Sequence, residues 1–526
     1  MPFALHFGQH IALANVDGKT IFKVVSVDSS APARLTWPLL LFLVVLGIFS
    51  FVIGTRHNAF PYTYHPDEDT KVRQIVSGKR NFFHPLLLLT TTSVAYHSNS
   101  IEKTPLNAAI IGRCVSAFFT TLAIAALSLL AWRWGGWPSA ISAALLLFLN
   151  PVGFELEHYF KEDPALLFGL AATFLALDFF WKNPTRGSSI FLGIAAALAI
   201  SGKYLGAVVL LFVIPIVVMR LRSTNARLAW WCVGGFVLTV VLINLPLLRH
   251  WADFSHGLSR EMDGATGGHR GLTREIPHAY YLQKLREITP TAIWLALATT
   301  AISLLLRWKN SSAIQLLTLA FPFLFIALLS FSPKTATRYV LPSTMFFSFL
   351  AGAAPGLLLQ GKSPAKLRVI TMLVASLFVA AGVWSYAPVF AKLYAEFSTD
   401  ARDGLRQWLD QNTPADAIIA QDERVDLLAN PNWKNRSVLN SEFAADLGSL
   451  DELKSRGVTH LAVTRQSYNR FFSGLRPNSK ERVEFEKCAA FYSDLFQRGQ
   501  LVWESPVGEI IYLHPGIRLY RLGPSK

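Results

Sequence analysis

Cysteine and charged side chains are both scarce in this chain of 526 residues. The three cysteines, Cys114, Cys232 and Cys488, show no pair spacing, which indicates neither a disulfide framework nor a thiolate metal site. Asp, Glu, Lys and Arg together account for only 16% of the residues, whereas 52% are hydrophobic. A composition of this kind excludes an ordinary soluble protein.

Several sequence signatures of nucleotide binding and hydrolysis are also missing. The chain has no Walker loop, no glycine-rich dinucleotide motif and no serine nucleophile elbow. The sequence therefore does not support a nucleotide-linked substrate.

Long apolar runs are abundant instead. About 20 apolar residues span a bilayer as a helix, and runs of about this length recur between Trp37 and Tyr386. We predict an α-helical polytopic membrane protein with about eleven transmembrane helices. The eleven runs cover 37–55, 106–132, 137–151, 165–181, 188–201, 204–219, 228–248, 289–306, 313–331, 339–357 and 369–387.

The placement of charge predicts the topology. The formal net charge is +15, but lysine and arginine concentrate in alternate loops that contain no acidic residue. The positive-inside bias assigns these loops and the N-terminal tail to the cytoplasm. We therefore predict a multi-pass protein of the cytoplasmic (inner) membrane, with the lipid bilayer as its partner and with acidic extracytoplasmic loops. We predict no nucleic-acid partner.

Three domains are predicted along the chain. Residues 1–36 form an N-terminal cytoplasmic tail, residues 37–395 form the transmembrane domain, and residues 396–526 have the composition of a soluble domain. Short apolar strands at 417–420, 459–463, 500–504 and 517–522 alternate with helical stretches at 450–456 and 485–498, which indicates a small open α/β domain. Eleven spans place this domain on the same side as the acidic loops.

The tetrad His65-Pro66-Asp67-Glu68 lies just outside the first apolar run. Proline disfavours the α conformation for His65 and suits the first turn of a helix, so both carboxylates are predicted at a helix N-terminus. The helix dipole favours their ionised form, which suits a general base or a metal ligand. The alternative is an acidic helix start with no further role.

A second polar cluster follows the third run and contains Glu155, Glu157, His158, Lys161, Glu162 and Asp163. For most of these residues a solvated loop at a helix boundary is the simpler interpretation. Asp163 is set apart as a candidate site residue because it is closest to the membrane plane.

Three isolated cations lie within or at the outer ends of apolar runs. Arg113 is about two turns inside the second run, Lys203 separates the fifth from the sixth, and Arg338 opens the tenth. A charge at the bilayer centre costs about 2.5–3.5 kcal/mol, so each cation should be paired or bind an anion. Snorkelling to the interface is the alternative for Lys203 and Arg338.

No cofactor is certain from the sequence. A divalent metal ion is a candidate, with Asp67, Asp163 and His158 as candidate ligands, but no ligand spacing stands out.

These segments resemble the C-type glycosyltransferases that take a sugar from a polyprenyl-phosphate carrier. The family includes the protein O-mannosyltransferases and the lipid A aminoarabinose transferases. The landmarks of the resemblance occur in the family's order over about 300 residues, and none of them is specific alone. They are Tyr64-His65-Pro66-Asp67-Glu68, Gly112-Arg113, His158-Tyr159-Phe160-Lys161-Glu162-Asp163-Pro164, Gly202-Lys203-Tyr204 and Thr337-Arg338-Tyr339-Val340-Leu341-Pro342.

The resemblance implies roles for these residues. Asp67 would be the general base or an acceptor-orienting group, with Glu68 beside it and Asp163 as a second acid. The substrate-binding candidates are His65, Arg113, Lys203, Tyr204 and Arg338, of which the three cations would hold the carrier phosphate. The implied reaction is an inverting transfer of a hexosyl or pentosyl group from a polyprenyl-phosphate sugar donor. The acceptor would be an extracytoplasmic lipid, glycan or protein of the cell envelope.

Two other functions are alternatives to an enzyme. One is a lipid or glycan transporter or flippase, and the other is a non-catalytic relative in an envelope-assembly complex. A transporter is expected to bury ionisable groups near the bilayer midplane and to use broken helices in paired halves. Here the acids cluster at one face and no two-half symmetry is visible, which favours the enzyme.

Overall fold

Helices account for most of the chain in the computed structural model. The structure describes residues 11–16, 19–24, 36–221, 226–267, 276–306, 311–360, 364–430, 432–433, 436–473 and 482–522. A β-hairpin formed by β1 (Ile11–Val16) and β2 (Lys19–Val24) lies in the N-terminal tail.

A helical domain follows this hairpin. It contains α1 (Trp37–Gly54), α2 (Glu68–Ser77), α3 (Leu87–Ser98), α4 (Pro105–Phe148), α5 (Pro151–Glu157), α6 (Asp163–Lys182), α7 (Arg186–Gly202), α8 (Leu210–Leu221), α9 (Arg227–Ile243), α10 (Trp251–Gly267), α11 (Pro277–Ile288), α12 (Thr291–Leu306), α13 (Ala313–Leu329), α14 (Leu341–Leu359) and α15 (Ala365–Glu396). Each of the eleven predicted apolar runs overlaps one of these helices.

Two of the predicted runs fall on the single long helix α4. Thr104 caps its N-terminus by accepting a hydrogen bond from the backbone N–H of Asn107, and Pro105 occupies the first helical position. The helix is broken at Gly136, whose φ of 69° and ψ of −157° suit a residue without a Cβ atom. The predicted gap between the runs 106–132 and 137–151 therefore corresponds to a kink at Gly136 between two helical segments of α4.

Apolar helices of membrane-spanning length support a multi-pass membrane protein. Five segments of the described chain are long and apolar enough alone, and the α11–α12 pair, bent by 103°, would count as a sixth. Four further apolar helices are shorter, so the number of eleven crossings stays a prediction. The five segments are Trp37–Gly54, Pro105–Phe148, Asp163–Lys182, Thr337–Leu359 and Ala365–Glu396.

Helices α4, α6 and α14 form the centre of the bundle, and α14 is buried along nearly its whole length. Small residues let the backbones approach closely, since a Cβ at Gly352 would overlap Ala143 of α4, and one at Gly169 would overlap Ala199 of α7. Close packing of this kind is typical of membrane proteins, because helices in a lipid bilayer associate through van der Waals packing and not through the hydrophobic effect.

An ion-pair cluster joins α4 to α6 at the end remote from α2. The carboxylate of Asp178 accepts hydrogen bonds from Arg133 Nε at 2.5 Å and Trp134 Nε1 at 3.2 Å. Lys182 lies 3.2 Å from the same carboxylate. Asp178 is 1% exposed, so these partners compensate a charge that would otherwise be buried alone.

The C-terminal segment forms the predicted small α/β domain, which confirms the predicted fold class. Its helices are α16 (Ala401–Asn412), α17 (Leu450–Ser455), α18 (Arg465–Tyr468) and α19 (Arg482–Arg498). Its strands are β3 (Ile418–Asp422), β4 (Ser437–Ser441), β5 (Val458–Thr464), β6 (Gln500–Glu504) and β7 (Ile517–Arg521). The sheet order is β4-β3-β5-β7-β6, with β3 parallel to β4 and β5, and β7 antiparallel to β5 and β6.

Gly112 of α4 allows the segment before α6 to pack closely. A Cβ atom at this position would overlap the ring of the fully buried Phe160. We expect Gly112→Ala to lower the free energy of unfolding by about 1–3 kcal/mol, because the ring must move in a packed interior. Gly234→Ala on α9 is the matched control, since a Cβ atom there would meet no described atom within 4 Å and alanine favours the helix. Thermal unfolding of both variants in detergent checks this, and equal midpoints would contradict it.

Candidate active site

The acidic tetrad forms the start of α2, as predicted. A short 3-10 helix, Tyr62–Tyr64, precedes it, Asp67 takes the N-cap position, and Glu68 opens the helix. Asp67 and Glu68 point into different surroundings: the Asp67 side chain is 33% exposed, whereas that of Glu68 is fully buried.

Glu68 forms a buried bidentate ion pair with Arg113 of α4. Arg113 Nε and Nη2 donate to the two carboxylate oxygens at 3.0 and 2.6 Å, and Nη1 donates to the carbonyls of Asn58 and Phe60 at 2.5 and 2.6 Å. The backbone N–H of Phe160 donates to Glu68 at 2.7 Å. Arg113 is 0% exposed, so its guanidinium N–H groups donate to groups within the protein. The two side chains therefore neutralise each other in a buried pair. That Arg113 holds a carrier phosphate and that Glu68 is catalytic stay predictions.

Asp67 lies among cations instead. Its carboxylate is paired with Lys161, and Arg338 Nη2 lies 3.9 Å away. Burial would raise the pKa of Asp67, but Lys161, Lys71 and Arg338 outweigh burial and hold this pKa well below its usual range. Asp67 is therefore ionised at neutral pH while its side chain keeps an accessible face.

The polar cluster before α6 is buried rather than solvated, apart from the half-buried Glu155. Glu162 is 2% exposed and lies 3.0 Å from Lys71 and 3.9 Å from Lys161. Asp163, the first residue of α6, accepts a hydrogen bond from Lys203 at 2.8 Å. The interpretation of this cluster as a solvated loop is wrong.

The ring of Tyr339 lies beneath two cations. Lys203 Nζ is 4.8 Å and the Arg338 guanidinium carbon 5.2 Å from its centroid. Tyr339 and Arg338 belong to the 3-10 helix Thr337–Val340 that leads into α14, whereas Lys203 caps the C-terminus of α7. The side chains of Lys203 and Arg338 are 15% and 26% exposed, so both have a face open to a ligand.

Seven of the ionisable side chains described above form a connected group, which we call the charge network. It combines three carboxylates with four cations, so the cations exceed the anions by one at neutral pH. An excess of positive charge with exposed faces on Lys203 and Arg338 suits a negatively charged ligand. The members are Asp67, Lys71, Lys161, Glu162, Asp163, Lys203 and Arg338.

Two of the predicted substrate-binding residues, His65 and Tyr204, form contacts within the protein. His65 is 1% exposed, and its ring lies between Tyr159 at 4.9 Å and Tyr512 at 4.5 Å. Its Nδ1 accepts a hydrogen bond from the backbone N–H of Asp67 at 3.2 Å, and burial holds the His65 pKa well below its usual range. The hydroxyl of Tyr204 donates to the carbonyl of Phe82 at 2.9 Å. Both side chains therefore support neighbouring backbone.

The candidate metal ligands Asp67, Asp163 and His158 do not fit a shared cation. His158 stacks on Phe397 at 4.0 Å, and its Nδ1 lies 2.8 Å from the carbonyl of Phe154. Asp67 and Asp163 are bound by Lys161 and Lys203. In the described residues no group of three or more His, Cys, Asp or Glu side chains could hold a metal ion.

The C-terminal domain contacts Tyr64, the residue before the tetrad. The hydroxyl of Tyr64 donates to Asp400 at 2.6 Å and accepts from Arg406 at 3.3 Å. The guanidinium of Arg402 stacks 3.6 Å from the Tyr64 ring centroid, and Arg424 donates to the Tyr64 carbonyl at 3.3 Å. Four side chains of one domain therefore hold the start of the acidic loop of the other.

The sequence interpretation missed Lys71 and Tyr512. Lys71 is four residues after Asp67, a spacing that places both on one helical face and could have indicated the contact. Tyr512 lies in the connection between β6 and β7, and no sequence signal links it to His65.

Comparison with known proteins gives similarity in structure only. The chain is similar to ArnT from Cupriavidus metallidurans bound to undecaprenyl phosphate, with 14% identity, TM-score 0.48, and coverage of 93% of this chain and 100% of that chain. It is also similar to the arabinofuranosyltransferase AftD from Mycobacteria, with 12% identity, TM-score 0.45, and coverage of 95% of this chain and 40% of that one. A third match is the S. cerevisiae protein O-mannosyltransferase Pmt1-Pmt2 complex bound to the sugar donor, with 17% identity, TM-score 0.34, and coverage of 47% and 36%.

All three are C-type glycosyltransferases, the group that the sequence motifs resemble. No family model and no curated protein matches the sequence. At these identities and TM-scores the similarity assigns no donor, acceptor or site residue to this chain.

Proposed function

We propose that this protein is an inverting glycosyltransferase of the cytoplasmic membrane that takes a sugar from a polyprenyl-phosphate carrier. Its acceptor would be an extracytoplasmic lipid, glycan or protein. The observation that carries the proposal is the position of Asp67, an ionised and partly exposed carboxylate beside cations that exceed their carboxylate partners. This arrangement supports the proposal, because it places a carboxylate for the acceptor hydroxyl beside cations for a carrier phosphate.

Asp67 would act on the acceptor. Its carboxylate can accept a hydrogen bond from an acceptor hydroxyl and orient the oxygen toward the anomeric carbon. Because its lowered pKa makes it a weak base, it takes the proton only as bond formation acidifies the hydroxyl. A single displacement of this kind inverts the anomeric configuration.

Lys203 and Arg338 would act on the donor. The carrier phosphate departs with increasing negative charge, and cations already in position stabilise that charge without reorganisation. Tyr339 spaces the two cations on one ring, and Asp163 holds Lys203 through a 2.8 Å contact. In this proposal Asp163 positions a cation, whereas Glu68, Arg113 and His65 position the loop that carries Asp67.

Binding of undecaprenyl phosphate tests the donor site. We expect Lys203→Gln and Arg338→Gln each to raise the Kd of the full-length protein in lipid nanodiscs about 10- to 100-fold, because each removes a charge-assisted contact with phosphate. The quenching of tryptophan fluorescence on titration with the lipid measures the Kd.

Lys182→Gln is the matched control. Lys182 is a partly exposed cation at the other end of α6 and is paired with Asp178, so its loss should leave the Kd unchanged. Unchanged Kd values in both site variants would remove Lys203 and Arg338 from donor binding.

A further inference from the structure

Two arginines of the C-terminal domain lie at one edge of its sheet. In open α/β sheets ligands bind beyond the carboxyl ends of parallel strands, where the strand order reverses. Here β3 is followed along the chain by β4 on one side and by β5 on the other. Arg424 comes two residues after β3, and Arg470 follows β5 and α18. Arg424 also contacts the carbonyl of Tyr64, so this edge meets the acidic loop.

Arg424 and Arg470 are half-buried, and within the described ranges no carboxylate lies within ion-pair distance of either. Arg470 packs 5.7 Å from the ring centroid of Phe443, and Glu442 acts on it only at longer range. Burial and the charge of Arg424 lower the pKa of Arg470, whereas the charges of Glu442, Tyr512 and Asp422 raise it. Two half-buried arginines at one edge of the sheet, neither in an ion pair with a described residue, suit an anionic ligand.

Tyr512 connects this pair with the charge network. Its half-buried ring packs against His65 and Tyr159, and the charges of Arg338, Asp67 and Arg424 all act on its hydroxyl. Burial raises the pKa of Tyr512, so the hydroxyl keeps its proton and can donate a hydrogen bond.

We propose that Arg424 and Arg470, with the Tyr512 hydroxyl, bind an anionic group of the acceptor, a phosphate or a carboxylate. The inference rests on the proposed function and extends it, because it names the chemistry of the acceptor. An anion held there fixes the acceptor at the junction of the two domains and directs a neighbouring hydroxyl toward Asp67. The C-terminal domain then supplies acceptor specificity, while the helical domain holds the donor.

The test uses the full-length protein with inorganic phosphate and with citrate as separate probes at constant ionic strength. We expect one or both to raise the thermal midpoint of the wild type, and this rise to be smaller in the double variant Arg424→Gln, Arg470→Gln, in which only the charge network is left to bind the probe. A difference between wild type and double variant with phosphate alone identifies a phosphate group, and a difference with citrate alone identifies a carboxylate. The matched control is Arg498→Gln, an exposed arginine of the same domain paired with Asp451, which should keep the full rise.

Two further measurements keep the inference falsifiable. Arg470→Gln alone removes no side-chain hydrogen bond seen in the described part, so it should fold and show a smaller rise than the wild type. The Kd for undecaprenyl phosphate should stay unchanged in both arginine variants, which separates acceptor binding from donor binding. If the wild type shows no rise with either probe, or if the double variant keeps the full rise, the anion site is refuted. If the wild type does not bind undecaprenyl phosphate, the proposed function is refuted, whereas the anion-binding result for Arg424 and Arg470 still stands.

Discussion

Asp67→Asn is expected to lower sugar transfer about 10²- to 10⁴-fold while the protein stays folded, because a positioned general base contributes an effect of that size. Asparagine keeps the shape of the side chain but cannot take a proton. Mass spectrometry of membrane lipids and surface glycans in a deletion strain carrying the variant measures the transfer. The thermal midpoint of the purified variant shows whether it has folded.

Asp69→Asn provides the control for this experiment. Asp69 lies two residues further along α2, is 44% exposed and pairs with Arg73, so its loss should leave transfer unchanged. Because the pKa of Asp67 is below its usual range, its ionised form is present at neutral pH and is lost only as the pH falls through that lowered value. Near-normal transfer by Asp67→Asn would remove this residue from the chemistry.

Arg113→Gln is expected to lower the free energy of unfolding by about 3–5 kcal/mol, because it leaves the Glu68 carboxylate buried without a counter-charge. The two side chains of this pair are completely inaccessible to solvent. Thermal unfolding of the purified protein in detergent measures the loss. Arg73→Gln breaks the exposed pair with Asp69 on the same helix α2 and should cost no more than about 1 kcal/mol.

The same variant separates two roles for Arg113. If it positions the acidic loop, the midpoint falls and the folded fraction still binds undecaprenyl phosphate through Lys203 and Arg338. A variant with the wild-type midpoint and weaker lipid binding would instead restore Arg113 to the donor site.

The apolar helices could be predicted because hydropathy alone identifies them. Runs such as 165–181 and 369–387 need no tertiary information, since a bilayer-spanning length of apolar residues is itself the signal. The strand β4 was missed for the opposite reason. Its sequence Ser437–Ser441 is short and half polar, and as an edge strand it has no fully buried residue to mark it.

The candidate site was predicted in its residues but not in its pairings. Asp67, Asp163, Lys203 and Arg338 were identified because charged residues beside apolar runs are costly. Their partners depend on contacts between distant parts of the chain: Asp67 and Lys161 are 94 residues apart, and Asp163 and Lys203 are 40 apart. The depth of Arg113 in the helix was a reason to predict ligand binding, whereas in the structure Glu68 neutralises it, a pairing that the sequence did not indicate.

Polar contacts join α4 to both ends of α6. The hydroxyl of Ser116 exchanges hydrogen bonds of 3.3 Å with the backbone of Lys161 just before α6 begins, and the Asp178 cluster closes the far end. Separating these helices would take Arg133 and Trp134 away from Asp178 and leave this buried aspartate with Lys182 alone. An isoprenoid chain arriving sideways from the lipid is therefore expected to enter through another seam of the bundle, and a covalent tether between α4 and α6 should leave its passage unhindered.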